Sequence, residues 1–196
     1  MKSSSVTRPF ARGPHLVSAI VVAISLVSLG GCMRHDPIAE QKPVDIQKND
    51  TCAVCGMYLK NAPGPRAEAY VKGRKQPLKF DSTRDFFAYA LQPEHRAILQ
   101  HQFVQDCAKI DWNHPSDAAD SFTDAQAAYY VAWQPLAGAM GPTLASFAQQ
   151  GDATRFVQQY GGRIVRYTEV TPQMISLLGT AQHQPHMLMR SPKQKQ

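Results

Sequence analysis

The chain has 196 residues, is 43% hydrophobic and 18% charged, and carries a formal net charge of +6 at pH 7. Three of its 21 basic residues fall in an acid-free leader, so the rest of the chain holds 18 basic against 15 acidic residues, a net of +3. That is too mild a charge to point to nucleic acid, and the length suffices for one real core or two small similar lobes.

The leader comes first. Lys2, Arg8 and Arg12 make a positive start, and an apolar run continues over residues 16–29. The run is short for a membrane span and reads as the apolar region of a signal peptide, residues 1–31. It ends in Leu29-Gly30-Gly31-Cys32, which resembles the lipobox of bacterial lipoproteins. On that reading Cys32 is lipidated and begins the mature chain. The alternative is an ordinary cleaved signal or an uncleaved anchor. Met33 rather than an aspartate after the cysteine points to the outer membrane, with the protein facing the periplasm.

Residues 32–50 are polar, contain Pro37 and Pro43, and read as a flexible tether. Cys52-Ala53-Val54-Cys55-Gly56-Met57 comes directly after and is the most informative stretch. Thiolates and thioethers are soft ligands. A CxxC alone leaves zinc, a redox pair and a structural disulfide open. The adjacent Met57 tilts the reading to Cu(I), because zinc and iron–sulfur sites rarely use a thioether. With Cys32 spent on lipid, Cys52, Cys55 and Cys107 remain. An odd number in an oxidising compartment cannot close into disulfides, so at least one thiol stays free or binds something.

Beyond the motif, residues 67–71 and 76–80 flank Lys72-Gly73-Arg74-Lys75 and predict a β-hairpin. Asp81-Ser82 offers N-caps for a helix over residues 83–92, with Phe86, Phe87 and Leu91 near one face. Pro93-Glu94 opens a short helical turn, and residues 102–108 read as a strand that contains Cys107. Asp106 and Asp111 suggest a turn. Residues 127–133 are a strand rich in aromatics. Residues 136–141 are loop, residues 144–150 a helix, and residues 152–160 a second helix capped by Asp152 and stopped by Gly161. Residues 163–167 form a strand, and Thr171-Pro172 opens a last helix to Leu178. Strand, strand, helix, strand thus occurs twice. The expected fold is α+β, with a first lobe over residues 51–108 and a second over 109–180. Residues 181–196 read as a disordered tail holding His183, His186, Met187 and Met189. His95, His101 and His114 show no ligand spacing.

Taken together, the lipobox at Cys32, the CxxCGM motif, Phe80-Asp81 before a helix, the strand Ala128-Tyr129-Tyr130-Val131, Met140-Gly141, and Gly161-Gly162 before a strand resemble the NosL family, the accessory lipoproteins of nitrous oxide reductase. The resemblance implies two similar ββαβ lobes related in fold to part of the organomercury lyase. It implies Cu(I) held by Cys52, Cys55, Met57 and Met140, and no enzyme activity. It implies copper delivery for the clusters of nitrous oxide reductase, with that enzyme and its associated transporter as partners. Ala139 stands where the family has a proline before the methionine. The competing readings are a thiol–disulfide oxidoreductase or a zinc-binding lipoprotein using the same CxxC pair. Organomercurial cleavage has only a fold analogy behind it.

Overall fold

The computed structural model describes residues 41–179. The leader, Cys32 and the His/Met tail lie outside the described residues. Four antiparallel strands form the first sheet: β1 (Ala67–Val71), β2 (Leu78–Phe80), β3 (Leu99–Gln105) and β4 (Phe122–Asp124), in the order β2-β1-β3-β4. The second sheet holds β5 (Tyr129–Ala132), β8 (Ala145–Phe147) and β9 (Arg163–Arg166) in the order β8-β5-β9, also antiparallel. Between β5 and β8 lies a minimal hairpin, β6 (Ala137–Gly138) and β7 (Gly141–Pro142), with Met140 in its turn. The helices are α1 (Thr83–Ala90), α2 (Pro93–Arg96), α3 (Gln150–Tyr160) and α4 (Pro172–Leu177). No helix among the described residues is long and apolar enough to cross a membrane.

The hairpin β1–β2 forms where expected, and α1 starts where the cap predicts. The Ser82 hydroxyl accepts from the Asp85 backbone N–H at 3.2 Å, satisfying a donor that the helix itself leaves free. Phe86, Phe87 and Ala90 turn inward. Phe87 meets Tyr130 edge-on with ring centres 4.9 Å apart, and Phe86 meets Phe80 at 5.7 Å. One apolar cluster therefore runs from Ile46 and Cys52 through α1 to Tyr130, Val165 and Leu178, joining both halves of the chain. Ala153 of α3 belongs to a smaller cluster with Val131, Ala145 and Phe147.

Several expectations differ from the structure; one is the strand read over residues 102–108, which spans Leu99–Gln105 and leaves Cys107 beyond its end. Residues 144–150 contain no helix at their start: Tyr129, Tyr130 and Val131 pair with Phe147, Ser146 and Ala145 instead. Leu-Ala-Ser-Phe suits a helix locally, but the free edge of β5 claims those backbone groups and buries all three residues of β8. Asp152 is not the cap of α3. That position is Gln149, and Asp152 sits in the first turn paired with Arg155. Residues 41–50 are not a free tether. Val44 N–H donates to Glu68 at 2.9 Å, Ile46 N–H to the Asp117 carbonyl at 2.8 Å, and Ile46 is buried in the main core. Finally, β4 lies beyond residue 108 yet completes the first sheet, so the expected lobe boundary falls inside the region that the sheet spans.

Glycine is required at Gly162. A Cβ there would stand 2.7 Å from the Ala132 carbonyl oxygen and 2.8 Å from Val131 Cγ1, and φ is +95°. This close approach sets how β9 enters the second sheet beside β5.

Candidate metal centre

The CxxCGM segment folds back on itself. Thr51 bridges to Tyr58, Cys52 N–H donates to the Met57 carbonyl at 2.8 Å, and Gly56 N–H donates to the Cys52 carbonyl at 2.9 Å. Gly56 has φ +75° with open space around its Cα, so backbone conformation rather than crowding calls for glycine. Ala53 N–H donates to the Lys79 carbonyl at 2.8 Å, which fastens the loop to β2. β2 ends at Phe80 and the chain passes through Asp81 and Ser82 into α1. The loop is thus held over the start of that helix.

This arrangement brings four donors together. Cys55 Sγ lies 3.2 Å from Asp81 Oδ2, and Cys52 Sγ lies 3.5 Å from Asp85 Oδ2. One ligand atom from each of the four residues falls within 4.8 Å of the others. Both thiols are free. Cys52, Asp81 and Asp85 are buried and Cys55 is half-buried. Asp81 Oδ1 is buried with no hydrogen-bond partner.

The electrostatics favour protons or a cation here. Burial pushes the Cys55 thiol well above its ordinary value of 9.0; the neighbouring Cys52 and the Asp81 carboxylate push the same way, against the Met57 backbone N–H. Burial also raises Asp81, and the Asp85 charge adds to it. Two thiolates and two carboxylates in so small a volume would repel one another. A bound cation relieves that repulsion, so metal entry and proton release are coupled.

Cys52 and Cys55 therefore stand together as the motif requires. Met57 shares their loop and is 51% exposed. Met140 is 46% exposed in the β6–β7 turn. Its carbonyl accepts from Arg84 Nη1 at 3.3 Å, and Arg84 lies on α1 between Asp81 and Asp85. The same hairpin is tied to the helix start by Thr83 Oγ1, which lies 2.9 Å from Thr143 Oγ1 and donates to the Leu144 carbonyl at 2.6 Å. The turn carrying Met140 is thus anchored to the helix end that carries the carboxylates.

Asp81 and Asp85 were absent from the residues singled out in the sequence as ligands. The available signal was their position: Asp81 directly precedes the Ser82 cap, and Asp85 lies in the first turn of α1. Cys107 stays outside the cluster. Its sulfur accepts from Ser146 N–H at 3.4 Å, and burial pushes its thiol to about 12. His95 stacks on Tyr89 at 3.6 Å, while His101 and His114 are exposed and join no group of metal-holding side chains among the described residues.

The NosL family model matches residues 43–175. The chain belongs to the NosL family. It is 34% identical over 172 residues to the copper-binding lipoprotein NosL of Stutzerimonas stutzeri, covering 86% of this chain and 88% of that one. It is 31% identical over 159 residues to the copper-binding lipoprotein NosL of Achromobacter cycloclastes, covering 80% and 81%. The crystal structure of the copper chaperone NosL from Shewanella denitrificans superimposes with a TM-score of 0.62 at 36% identity, covering 65% of this chain and 94% of that one. Mixed α and β structure with antiparallel sheets is what the family relationship leads one to expect.

Proposed function

We propose that this protein binds Cu(I) through Cys52 and Cys55, with Met57 and Met140 as thioether donors, and delivers it for assembly of the copper clusters of nitrous oxide reductase. The observation that carries the reading is the pair of free thiols in one closed loop, which also carries the exposed Met57. Sulfur donors of both kinds suit a soft monovalent ion. Half-exposed ligands leave room for a recipient's own ligand, so copper passes by exchange without release to water. The names of the relatives, copper-binding lipoprotein and copper chaperone, support the same function.

In this reading Cys32 carries the lipid, the folded part faces the periplasm from the outer membrane, and the reductase and its associated transporter are the partners. Each sheet with its helix is one of two similar ββαβ lobes, since β1 and β5 are both central and are flanked by the strands on either side of α1 and α3; a distant kinship to the organomercury lyase belongs to the same reading. The protein acts as a carrier rather than an enzyme.

One observation favours a second reading. Two thiols and two carboxylates are also a donor set that tetrahedral zinc accepts. Titration of the reduced mature chain with Cu(I), against a chelator and in the presence of Zn(II), separates the two. The expected result is retention of Cu(I) over Zn(II), lost in the Cys52→Ser, Cys55→Ser double variant with circular dichroism unchanged. Equal Cu(I) affinity in that variant sinks the assignment.

A further inference from the structure

Three cations crowd the turn between β1 and β2 without an anionic partner. Lys72, Arg74 and Lys75 are all exposed there, and no ion pair among the described residues involves them. Arg74 N–H donates to the Val71 carbonyl at 3.1 Å, and Gly73 between them takes φ +84° in open space, so the turn is closed and fixed. The carboxylates that share a cavity wall with Arg74 are held elsewhere: Asp50 by Lys79 and Asp45 by the Ala119 N–H. Lys72 N–H donates to the Ile98 carbonyl at 2.8 Å, which sets an exposed isoleucine beside the cations.

We infer that Lys72, Arg74 and Lys75, with Ile98, lie against anionic phospholipid headgroups and orient the anchored protein on the membrane. This rests on the reading of Cys32 as the lipid anchor. The first support is where the chain enters the fold. Gln41 donates through Nε2 to Gln100 Oε1 at 3.1 Å, and the Lys42 carbonyl accepts from the Tyr70 hydroxyl at 2.8 Å. Tyr70 stands two positions before Lys72, and Leu99 pairs with Val71. Gln41 and Lys42 thus join the first sheet at the end that carries the basic turn. Nine positions separate Cys32 from Gln41, a reach of at most about 32 Å. A lipid on Cys32 keeps this end of the sheet within that distance of the bilayer.

The second support is charge complementarity. Each basic residue at an anionic surface raises partitioning by about fivefold, so three together give about a hundredfold. Alone that is a weak attachment, but the lipid tether supplies the headgroups at high local concentration. The turn therefore sets orientation, while the acyl chains keep the protein on the membrane. The third support is the position of the thiols. β2 begins beside the turn and ends at Phe80, next to Asp81, which Cys55 contacts. Contact at the turn leaves the other end of β2, with its thiol loop, accessible to a recipient of copper.

The test uses the full lipidated chain reconstituted in vesicles of phosphatidylcholine alone, or with about one-third phosphatidylglycerol. Intact mass first establishes the acyl chains on Cys32. A neutral acylating ester then labels lysines, and mass spectrometry reads the rate at Lys72 and Lys75, with the exposed Lys60 as reference. In the anionic vesicles Lys72 and Lys75 are expected to label about tenfold more slowly than in the neutral ones, with Lys60 unchanged. At about 1 M salt, where screening acts within about 3 Å, the difference should vanish. Arg74→Gln with Ile98→Ser should remove most of the protection while leaving Cu(I) affinity in chelator competition as it was. Equal labelling of the acylated protein in both vesicles overturns the inference and leaves the anchor standing. Protection that survives high salt or the double variant also overturns it, as does protection by inorganic phosphate added to neutral vesicles, which would mean a site for a free anion. A chain without acyl groups on Cys32 overturns the anchor reading and the inference with it.

Discussion

Copper affinity in this protein should depend steeply on pH, and Cys55 is the residue that sets part of the slope. Its thiol holds a proton across the neutral range because burial, then Cys52 and Asp81, outweigh the Met57 backbone N–H. Cu(I) binds the thiolate, so capture by Cys55 displaces one proton. The apparent association constant then rises tenfold per pH unit for that one proton, as long as the pH stays below the thiol's raised pKa. From pH 6 to pH 8 the Cys55 contribution alone is about a hundredfold, about 2.7 kcal/mol. The sign is fixed by the direction of the shift: a thiol pushed up is protonated when free, so binding strengthens as pH rises. The assay is Cu(I) competition at several pH values with a chelator whose own proton dependence is calibrated. Cys55→Ser should flatten the profile by one decade per pH unit. A flat profile in the unaltered protein, or an unchanged slope in Cys55→Ser, would refute the coupling of copper entry to proton release at this site.

Met140→Ala should weaken Cu(I) binding by one to two orders of magnitude, about 1.4 to 2.8 kcal/mol. Its side chain is 46% exposed, so the thermal midpoint of the apo protein should stay put; unchanged affinity would leave Met57 as the thioether ligand. Glu68 predicts a different pH effect, on stability. Fully buried, it is raised from 4.5 to about 7, by burial first, against the Val44 N–H and Lys79. A carboxyl whose folded pKa is raised adds stability that is fully present below pH 4.5 and lost as pH rises through about 7, an upper bound of about 3 kcal/mol. Urea unfolding at pH 5 and pH 8 should show Glu68→Gln losing that component of the pH dependence; an identical pH dependence in the two proteins would count against it.

Much of this protein was legible locally. The CxxCGM loop closes through hydrogen bonds within residues 51–58, and its glycine is dictated by one backbone angle. The β1–β2 hairpin, the Ser82 cap of α1 and the Thr171-Pro172 start of α4 are likewise decided within a few residues, so turn and cap chemistry predict them. The thiols as candidate ligands come from residue type and spacing alone.

What only the tertiary structure decided involves partners far apart in the chain. Leu-Ala-Ser-Phe became a strand because β5 offered an unpaired edge, a fact no local window contains. Residues 41–50 became part of the fold because Glu68 and Asp117 accept their backbone N–H groups. Asp81 and Asp85 joined the candidate metal centre because Ala53 pins the thiol loop to β2, which delivers it to the start of α1. Met140 reached that helix because Thr83 and Arg84 bind a hairpin some sixty residues later in the chain. Sequence chemistry determined which atoms prefer copper. Long-range hydrogen bonding and burial decided which carboxylates face them and how firmly Cys55 holds its proton.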